Sequence, residues 1–345
     1  MTRLSAHAKG LLFAGILLIV STLSIPVAPY LWLSFSNDTA TATETQEQNP
    51  RATFWRSVRR GSSGYTAVPG QEAGVVIHGN GLNWREYRVK ILAPYGSYLM
   101  AGVLIIIAMY YAMRGPINLE SGYSGQSITR FSVYQRVIHW FTAILFWLLS
   151  LSGLILLYGR YVLIPLLGSK GFAITAAACK EAHNLFGPIF LLALVLLIAT
   201  FIRDNLYRKG DIDWLKKGGG MFGTHASADK FNFGEKVWFW LVCILGLSVS
   251  VSGVLLDFSI LGLNRTAMEI AHVIHSAAAI IFISISFGHI YLGTVGTQGT
   301  LDGMTKGSVD ANWAKHHHDR WVPETGNQEA IQHPLTSNMR EAPGD

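Results

Sequence analysis

Four histidines in otherwise apolar stretches are the residues best suited to chemistry in this 345-residue chain: His139, His183, His275 and His289. An ionisable side chain inside a membrane segment is costly, so each of them suggests a functional site. Imidazole is a good ligand for iron, and an iron ion with two axial histidines keeps no open position for a substrate. The four residues therefore predict electron transfer rather than chemistry at a metal.

The spacing of His275 and His289 fits one helix that supplies a ligand to each of two hemes. They are 14 residues apart, which on a helix places them within about 40° of one face and roughly 21 Å apart. His272 is the alternative to His275, but its offset of 17 residues from His289 places it about 100° from that face. We therefore favour His275.

The elements that position these histidines are predicted to be membrane helices. Half of the residues are hydrophobic and 14% are charged, against roughly 25% charged residues in soluble domains. Spanning a bilayer takes roughly 20 apolar residues, and six segments qualify: 11–34, 96–113, 137–158, 175–202, 236–257 and 271–297. The fold class expected is an all-α membrane protein. The two cysteines lack ligand spacing, so any iron-sulfur centre belongs to a partner.

Lysine and arginine set the expected orientation, because short cytoplasmic loops are enriched in both. They concentrate between residues 114 and 136 and between 203 and 236, and are sparse in 159–174 and 258–270. This distribution, with its net charge of +6, favours contact with membrane lipid and not with nucleic acid. It predicts cytoplasmic N- and C-termini in a bacterial inner membrane. His183 then pairs with His275 near the periplasm, and His139 pairs with His289 near the cytoplasm.

The rest of the chain divides by composition. Residues 1–34 are interpreted as a membrane anchor or signal segment, 35–95 as a periplasmic segment and 96–113 as an additional transmembrane helix. Residues 323–345 are polar and predicted to be a disordered cytoplasmic tail. The run His316–His318 is expected to form a basic face near the membrane.

Residues 130–322 resemble the gamma, or cytochrome b, subunit of respiratory formate dehydrogenase. The likeness is carried by FSVYQRVIHWFTA, EAHNLFGPIF, VIHSAAAIIF and GHIYLGTVGTQGTLDGMTKGSVDANWAKHHHDRW. It implies a four-helix transmembrane core with two hemes b, ligated by His139, His183, His275 and His289. Residues 1–129 depart from the family pattern and add one or two N-terminal transmembrane helices.

The resemblance also implies a site for menaquinone or ubiquinone beside the cytoplasmic heme, formed by His289, Asn232 and Gly234. An asparagine amide can donate to a quinone carbonyl, and glycine permits close backbone approach. Taken without the resemblance, Asn232 is interpreted as a helix cap, where asparagine is common.

The partners implied are an iron-sulfur beta subunit and a molybdenum or tungsten catalytic alpha subunit. Electrons would pass from the iron-sulfur partner through both hemes to quinone, and this chain itself would hold no formate-oxidising site. The cytochrome b of a nickel-iron hydrogenase or of a thiosulfate reductase is the nearest alternative, and the copurifying catalytic subunit separates these possibilities. A membrane anchor or transporter that uses its histidines without heme is a different class, and it predicts no Soret band.

Overall fold

Helices make up most of the computed structural model, which describes residues 79–220, 226–258 and 262–322. In chain order they are α1 (Gly79–Tyr87), α2 (Ala93–Arg114), α3 (Val133–Phe201), α4 (Asp211–Lys216), α5 (Phe233–Asp257), α6 (Arg265–Gly293), α7 (Thr300–Thr305) and α8 (Ala311–His317). Arg88–Leu92 is a π-helical turn and Gly218–Gly220 a 3₁₀ turn. Strands β1 (Ser127–Thr129) and β2 (Ser308–Asp310) form an antiparallel pair. The expected segments 1–34, most of 35–95 and 323–345 lie outside the described residues.

Among the described residues, four helical stretches are long and apolar enough to cross a membrane: Asn83–Arg114, Val133–Phe201, Phe233–Asp257 and Arg265–Gly293. Large apolar side chains on their outer surfaces are exposed, as at Ile106 (67%) and Leu192 (67%). A soluble monomer rarely exposes such continuous apolar area, whereas lipid-facing helices require it. The prediction of an all-α membrane fold is confirmed.

The loop predicted at residues 159–174 is wrong, because α3 continues through it as a helical hairpin. Its backbone leaves helical geometry at Gly168, where φ is 69° and ψ is 171°. Glycine adopts this positive φ without a steric penalty. The chain reverses there, since Ser152 contacts His183 and a side chain on Gly159 would meet Phe172. The two arms of the hairpin are residues 133–167 and 169–201.

The described helix before the family-like region starts at residue 79, well ahead of the predicted residue 96. Tyr87 and Leu92 form a buried cluster with Val273, Ala277 and Ile280 of α6. The Tyr158 hydroxyl donates a hydrogen bond to the carbonyl oxygen of Ala93 at 2.9 Å. The junction between α1 and α2 is therefore packed on α6 and fixed to α3.

The chain forms two compact units, and α2, α3, α5 and α6 each contribute residues to both. The first unit comprises the described residues of 79–104, 144–194 and 241–285. The second comprises those of 105–143, 195–240 and 286–322. Within the second unit, β1 and β2 lie over an apolar cluster of Leu119, Val309, Trp313, Ala314 and Trp321.

A buried polar group in the second unit surrounds Arg130. Its Nη2 lies 3.0 Å from Glu235 Oε1 and 3.1 Å from His318 Nε2. Arginine only donates, so His318 Nε2 accepts and Nδ1 donates to the carbonyl oxygen of Asp229 at 2.6 Å. Burial and the charge of Arg130 lower the pKa of His318 to about 4. The expected basic face is therefore wrong at His318, which is 1% exposed.

A buried ion pair in the second unit joins α4 to α5. Lys236 Nζ lies 2.9 Å from both carboxylate oxygens of Asp211, and the two side chains are 3% and 2% exposed. The backbone N–H of Arg208 donates a further hydrogen bond to Asp211 at 2.7 Å. The pair thus anchors the short helix α4, whose Trp214 reaches the start of α5.

Two histidine pairs as candidate heme sites

The structure brings the four predicted ligands together in the two expected pairs. The ring centres of His183 and His275, in the first unit, are 6.0 Å apart. Those of His139 and His289, in the second unit, are 6.3 Å apart. The alternative ligand His272 instead stacks on Trp84, with ring centres 5.4 Å apart and planes 23° apart.

Both separations fit two imidazoles on opposite sides of one metal ion. With a metal–nitrogen bond of about 2 Å, as for zinc, and ring bonds of about 1.33 Å, the expected distance between ring centres is about 6.2 Å. In the described part of the chain, no group of three or more His, Cys, Asp or Glu is suited to a metal ion.

Packed aromatic rings also lie about 4.5–7 Å apart, so the hydrogen bonds of the rings distinguish ligation from packing. His275 Nδ1 lies 2.9 Å from the carbonyl oxygen of Val249, which only accepts, so Nδ1 carries the proton. Ser152 Oγ donates to the carbonyl oxygen of Leu148 at 2.8 Å and can accept from His183 Nδ1 at 2.8 Å. In both neutral rings Nε2 then keeps its lone pair for a metal, as in ligating histidines with an outer hydrogen-bond partner.

A Ser-Gly dipeptide lies against each ring of the first pair. A Cβ on Gly153 would lie 3.3 Å from His183 Cε1, and one on Gly253 would lie 3.1 Å from His275 Cε1. Ser252 Oγ is also 3.3 Å from His275 Nδ1. Sequence reasoning missed these residues, although the repeated SLSG at 150–153 and SVSG at 250–253 is a signal that could have found them.

The second pair is oriented by tryptophans. Trp238 stacks on His289, with ring centres 4.5 Å apart and planes 12° apart. Trp140 meets His139 edge to face, and its indole N–H donates to the carbonyl oxygen of Met304 at 2.9 Å. His139 Nδ1 is buried with no hydrogen-bond partner among the described residues. If this ring served only for packing, an apolar side chain would avoid the cost of burying that polar atom. Trp238 also escaped sequence reasoning.

The predicted quinone residues lie at the start of α5. Asn232 Oδ1 accepts from the N–H of Glu235 at 2.9 Å, while the N–H of Asn232 donates to Glu235 at 2.8 Å. Asn232 is thus a helix cap that uses its Oδ1 atom. The cap does not use the amide N–H₂ group, which is a hydrogen-bond donor. A Cβ on Gly234 would lie 3.0 Å from the ring of Trp214. Gly234 is also one turn before Trp238, on the face that meets His289.

If His183 ligates a heme, Ser152→Ala is expected to raise the midpoint potential of that heme without changing the heme content. Loss of a hydrogen bond of about 1 kcal/mol from His183 Nδ1 makes the ring a weaker donor to iron, which corresponds to a few tens of millivolts. Potentiometric titration of the heme absorbance measures the change. Ser284→Ala is the control, because this buried serine donates to the carbonyl oxygen of Ile280. An unchanged potential in Ser152→Ala would contradict the role of this bond.

Comparison with known proteins identifies the kind of chain that carries these pairs. The family model described as prokaryotic cytochrome b561 matches residues 130–307. The nitrate-inducible formate dehydrogenase cytochrome b556(Fdn) subunit of Escherichia coli K12 is 30% identical over 213 residues, which are 59% of this chain and 94% of that subunit. The cytochrome b556(fdo) subunit of the same strain is 29% identical over 203 residues, 57% of this chain and 93% of that subunit. The formate dehydrogenase cytochrome b556 subunit of Haemophilus influenzae is 27% identical over 208 residues, 57% and 83% of the two chains.

Proposed function

Since this chain belongs to the prokaryotic cytochrome b561 family, as a gamma-type cytochrome b subunit similar to those of formate dehydrogenase, we propose that it carries electrons from an iron-sulfur partner through two b hemes to quinone. The family implies heme b and a multi-pass membrane protein.

The observation that carries the proposal is the geometry of the two histidine pairs. Ring centres 6.0 and 6.3 Å apart match the spacing of about 6.2 Å for two imidazoles on one metal. The hydrogen bonds of His183 and His275 leave Nε2 available in both rings. Histidines used only for packing or for proton relay would need neither this spacing nor this choice of tautomer.

Each pair has a defined task in this function. A b heme bound at each pair would supply a one-electron carrier. His183 and His275 would hold the heme of the first unit, and their rings are oriented by Ser152 and by the carbonyl oxygen of Val249. His139 and His289 do so in the second unit, where Trp238 fixes the plane of His289. At Asn232 the amide would orient a quinone by donating to its carbonyl oxygen.

The proposed orientation in a bacterial inner membrane rests on the basic residues of the second unit. Its described segments outside the spans contain ten lysines and arginines, among them Arg130, Arg203, Lys217, Lys230 and Arg320. By the enrichment of lysine and arginine in cytoplasmic loops, this side is cytoplasmic. The pair His139 and His289 is then the one near the cytoplasm, from which quinone would take its protons.

The proposed partners are an iron-sulfur beta subunit and a molybdenum or tungsten catalytic alpha subunit of formate dehydrogenase. The support is that the curated relatives are named as formate dehydrogenase cytochrome subunits and are covered over 83% to 94% of their length. Affinity purification of the tagged chain, followed by mass spectrometry, tests the assignment. Copurification of a hydrogenase or thiosulfate reductase catalytic subunit would overturn the formate assignment and leave the heme sites standing.

The heme content decides the central proposal. A reduced-minus-oxidised spectrum with pyridine hemochrome quantification of the purified complex is expected to give two b hemes for each copy of this chain. One heme per chain would overturn the role of one pair. Absence of heme would favour a membrane anchor or transporter.

Asn232→Ser tests the quinone site separately from the hemes. Serine keeps the N-cap of α5 but removes the amide that would donate to quinone, so the KM for quinone should rise about 2- to 10-fold, as for the loss of one hydrogen bond. Heme spectra and content should stay unchanged. Ser132→Asn, an exchange at the cap of α3, is the matched control and should leave the KM unchanged. An unchanged KM in Asn232→Ser would contradict the contact with quinone.

A further inference from the structure

Arg88 is a cation that the family match does not cover. It starts the π-helical turn Arg88–Leu92 between α1 and α2, whereas the match spans residues 130–307. This turn is not loosely attached, because Tyr87 and Leu92 on either side are 2% and 5% exposed in the cluster with α6. The position of Arg88 in the first unit is therefore defined.

Arg88 lies about one helical turn from the residues of α3 and α6 that form the first histidine pair. Its Nη2 donates to the carbonyl oxygen of Leu156 at 3.2 Å, and Leu156 is three residues beyond Gly153, which faces His183. On the side of the second ligand, Trp84, four residues before Arg88, stacks on His272, which is three residues before His275. Three residues on a helix rise about 4.5 Å. Leu156 lies between Gly153 and the bend of α3 at Gly168, and His272 lies between the start of α6 and His275. The α1–α2 junction contacts both helices in these regions.

The propionates of a heme would favour a cation at such a position. A b heme carries two propionate carboxylates, and a carboxylate at a membrane boundary needs pairing or hydration. The forked guanidinium of arginine matches a carboxylate with two parallel hydrogen bonds. The bond to Leu156 uses one of its five N–H groups. Lys90, on the same turn, is paired with Glu86 at 3.3 Å.

We propose that Arg88 binds a propionate of the b heme held by His183 and His275. This inference rests on the proposed function, because it requires a heme at that pair. Arg88 is then a positioning residue that this chain adds from outside the family-matched region. Its charge favours the reduced state of the heme, which is more negative by one electron, and so raises the midpoint potential of that heme.

The test is a potentiometric titration of the purified complex carrying Arg88→Gln. His275→Ala first assigns the midpoint that belongs to this heme. Arg88→Gln is then expected to keep two hemes and to reduce the equilibrium constant for reduction of that heme about tenfold, a fall of about 59 mV for one electron, with the other heme unchanged. Arg85→Gln, an exposed arginine of α1, is the matched control and should leave both midpoints in place.

The outcomes separate this inference from the proposed function. Two hemes with unchanged midpoints in Arg88→Gln would overturn the role of Arg88 alone, whereas fewer than two hemes in the wild type would overturn the proposed function. Loss of only the assigned heme would support the propionate contact. Should Arg88→Gln lose both hemes through misfolding, Arg88→Lys replaces it. The proposal then requires a smaller fall in the same midpoint, and an unchanged midpoint overturns it.

Discussion

His275→Ala is expected to bind one b heme per chain instead of two and to abolish electron transfer from the donor to quinone. Alanine removes one of the two proposed iron ligands, and His183 alone would supply a single ligand to the heme. The Ser152 hydroxyl contacts His183 at its Nδ1 atom, so this contact does not replace a ligand lost at the Nε2 side. Pyridine hemochrome content and the rate of quinone reduction measure the two effects.

The control for this experiment is His272→Ala, one turn away on the same helix. His272 stacks on Trp84 and does not face His183, so this variant should keep both hemes and most of its electron transfer. The opposite pattern, with heme lost in His272→Ala and retained in His275→Ala, would show that the ligand had been assigned to the wrong histidine. Loss of both hemes in His275→Ala would indicate that the second unit depends on the first for its heme.

Asp211→Ala is expected to destabilise the protein by about 3–5 kcal/mol, because it leaves the ammonium of Lys236 buried without its carboxylate. Lys236 is 3% exposed and contacts both oxygens of Asp211, so the charge cannot reach water without movement of α4 or α5. The temperature of unfolding in detergent, followed by tryptophan fluorescence, should fall clearly below that of the wild type. Heme loss from the pair of His139 and His289 is expected to accompany the transition, since Lys236 and Trp238 belong to the same helix.

The double variant Asp211→Leu with Lys236→Met separates charge burial from packing. Replacing a buried ion pair by apolar side chains of similar volume is often neutral or stabilising, so most of the lost stability should return. Lys216→Ala is the control for a cation of α4 whose pairing partner is exposed, and it should change stability by less than about 1 kcal/mol. Equal destabilisation by the single and double variants would mean that Asp211 acts through its bond to the Arg208 backbone.

The histidine pairs were predictable from the sequence because membrane helices restrict the geometry. Rise and rotation per residue alone separate His275 from His272, and the basic loops indicate which ligands share a side of the membrane. The packing around the rings was not predictable in this way. Which serine or glycine meets His183 depends on the facing and register of two helices, and that register follows from the bend at Gly168.

Two errors have a common physical cause, since hydropathy reports the change from lipid to water and not the end of a helix. Residues 159–174 contain Arg160 and Lys170, yet they stay helical on both sides of Gly168. The run His316–His318 is polar by composition, yet His318 is held under Trp313 and Trp321 by contacts with Asp229 and Arg130. Only the tertiary fold supplies those partners. Residue type therefore predicted a surface position for His318, which is buried in the structure.

The length of the α3 hairpin has a practical consequence for determining how the protein sits in a cell. Each arm has more than 30 residues and is therefore about 50 Å long, while the hydrocarbon layer is about 30 Å thick. A tilt of about 20° absorbs only a small part of the difference, so each arm must continue into water. If both arms cross the bilayer, their shared bend emerges on one side of it, with the exposed residues Ser169 and Lys170 at its tip. The amine of Lys170 is thus a natural labelling site. Its reaction with an impermeant acylating reagent, added to intact cells or to inverted vesicles, shows on which side of the membrane the bend lies without disturbing the cofactor sites.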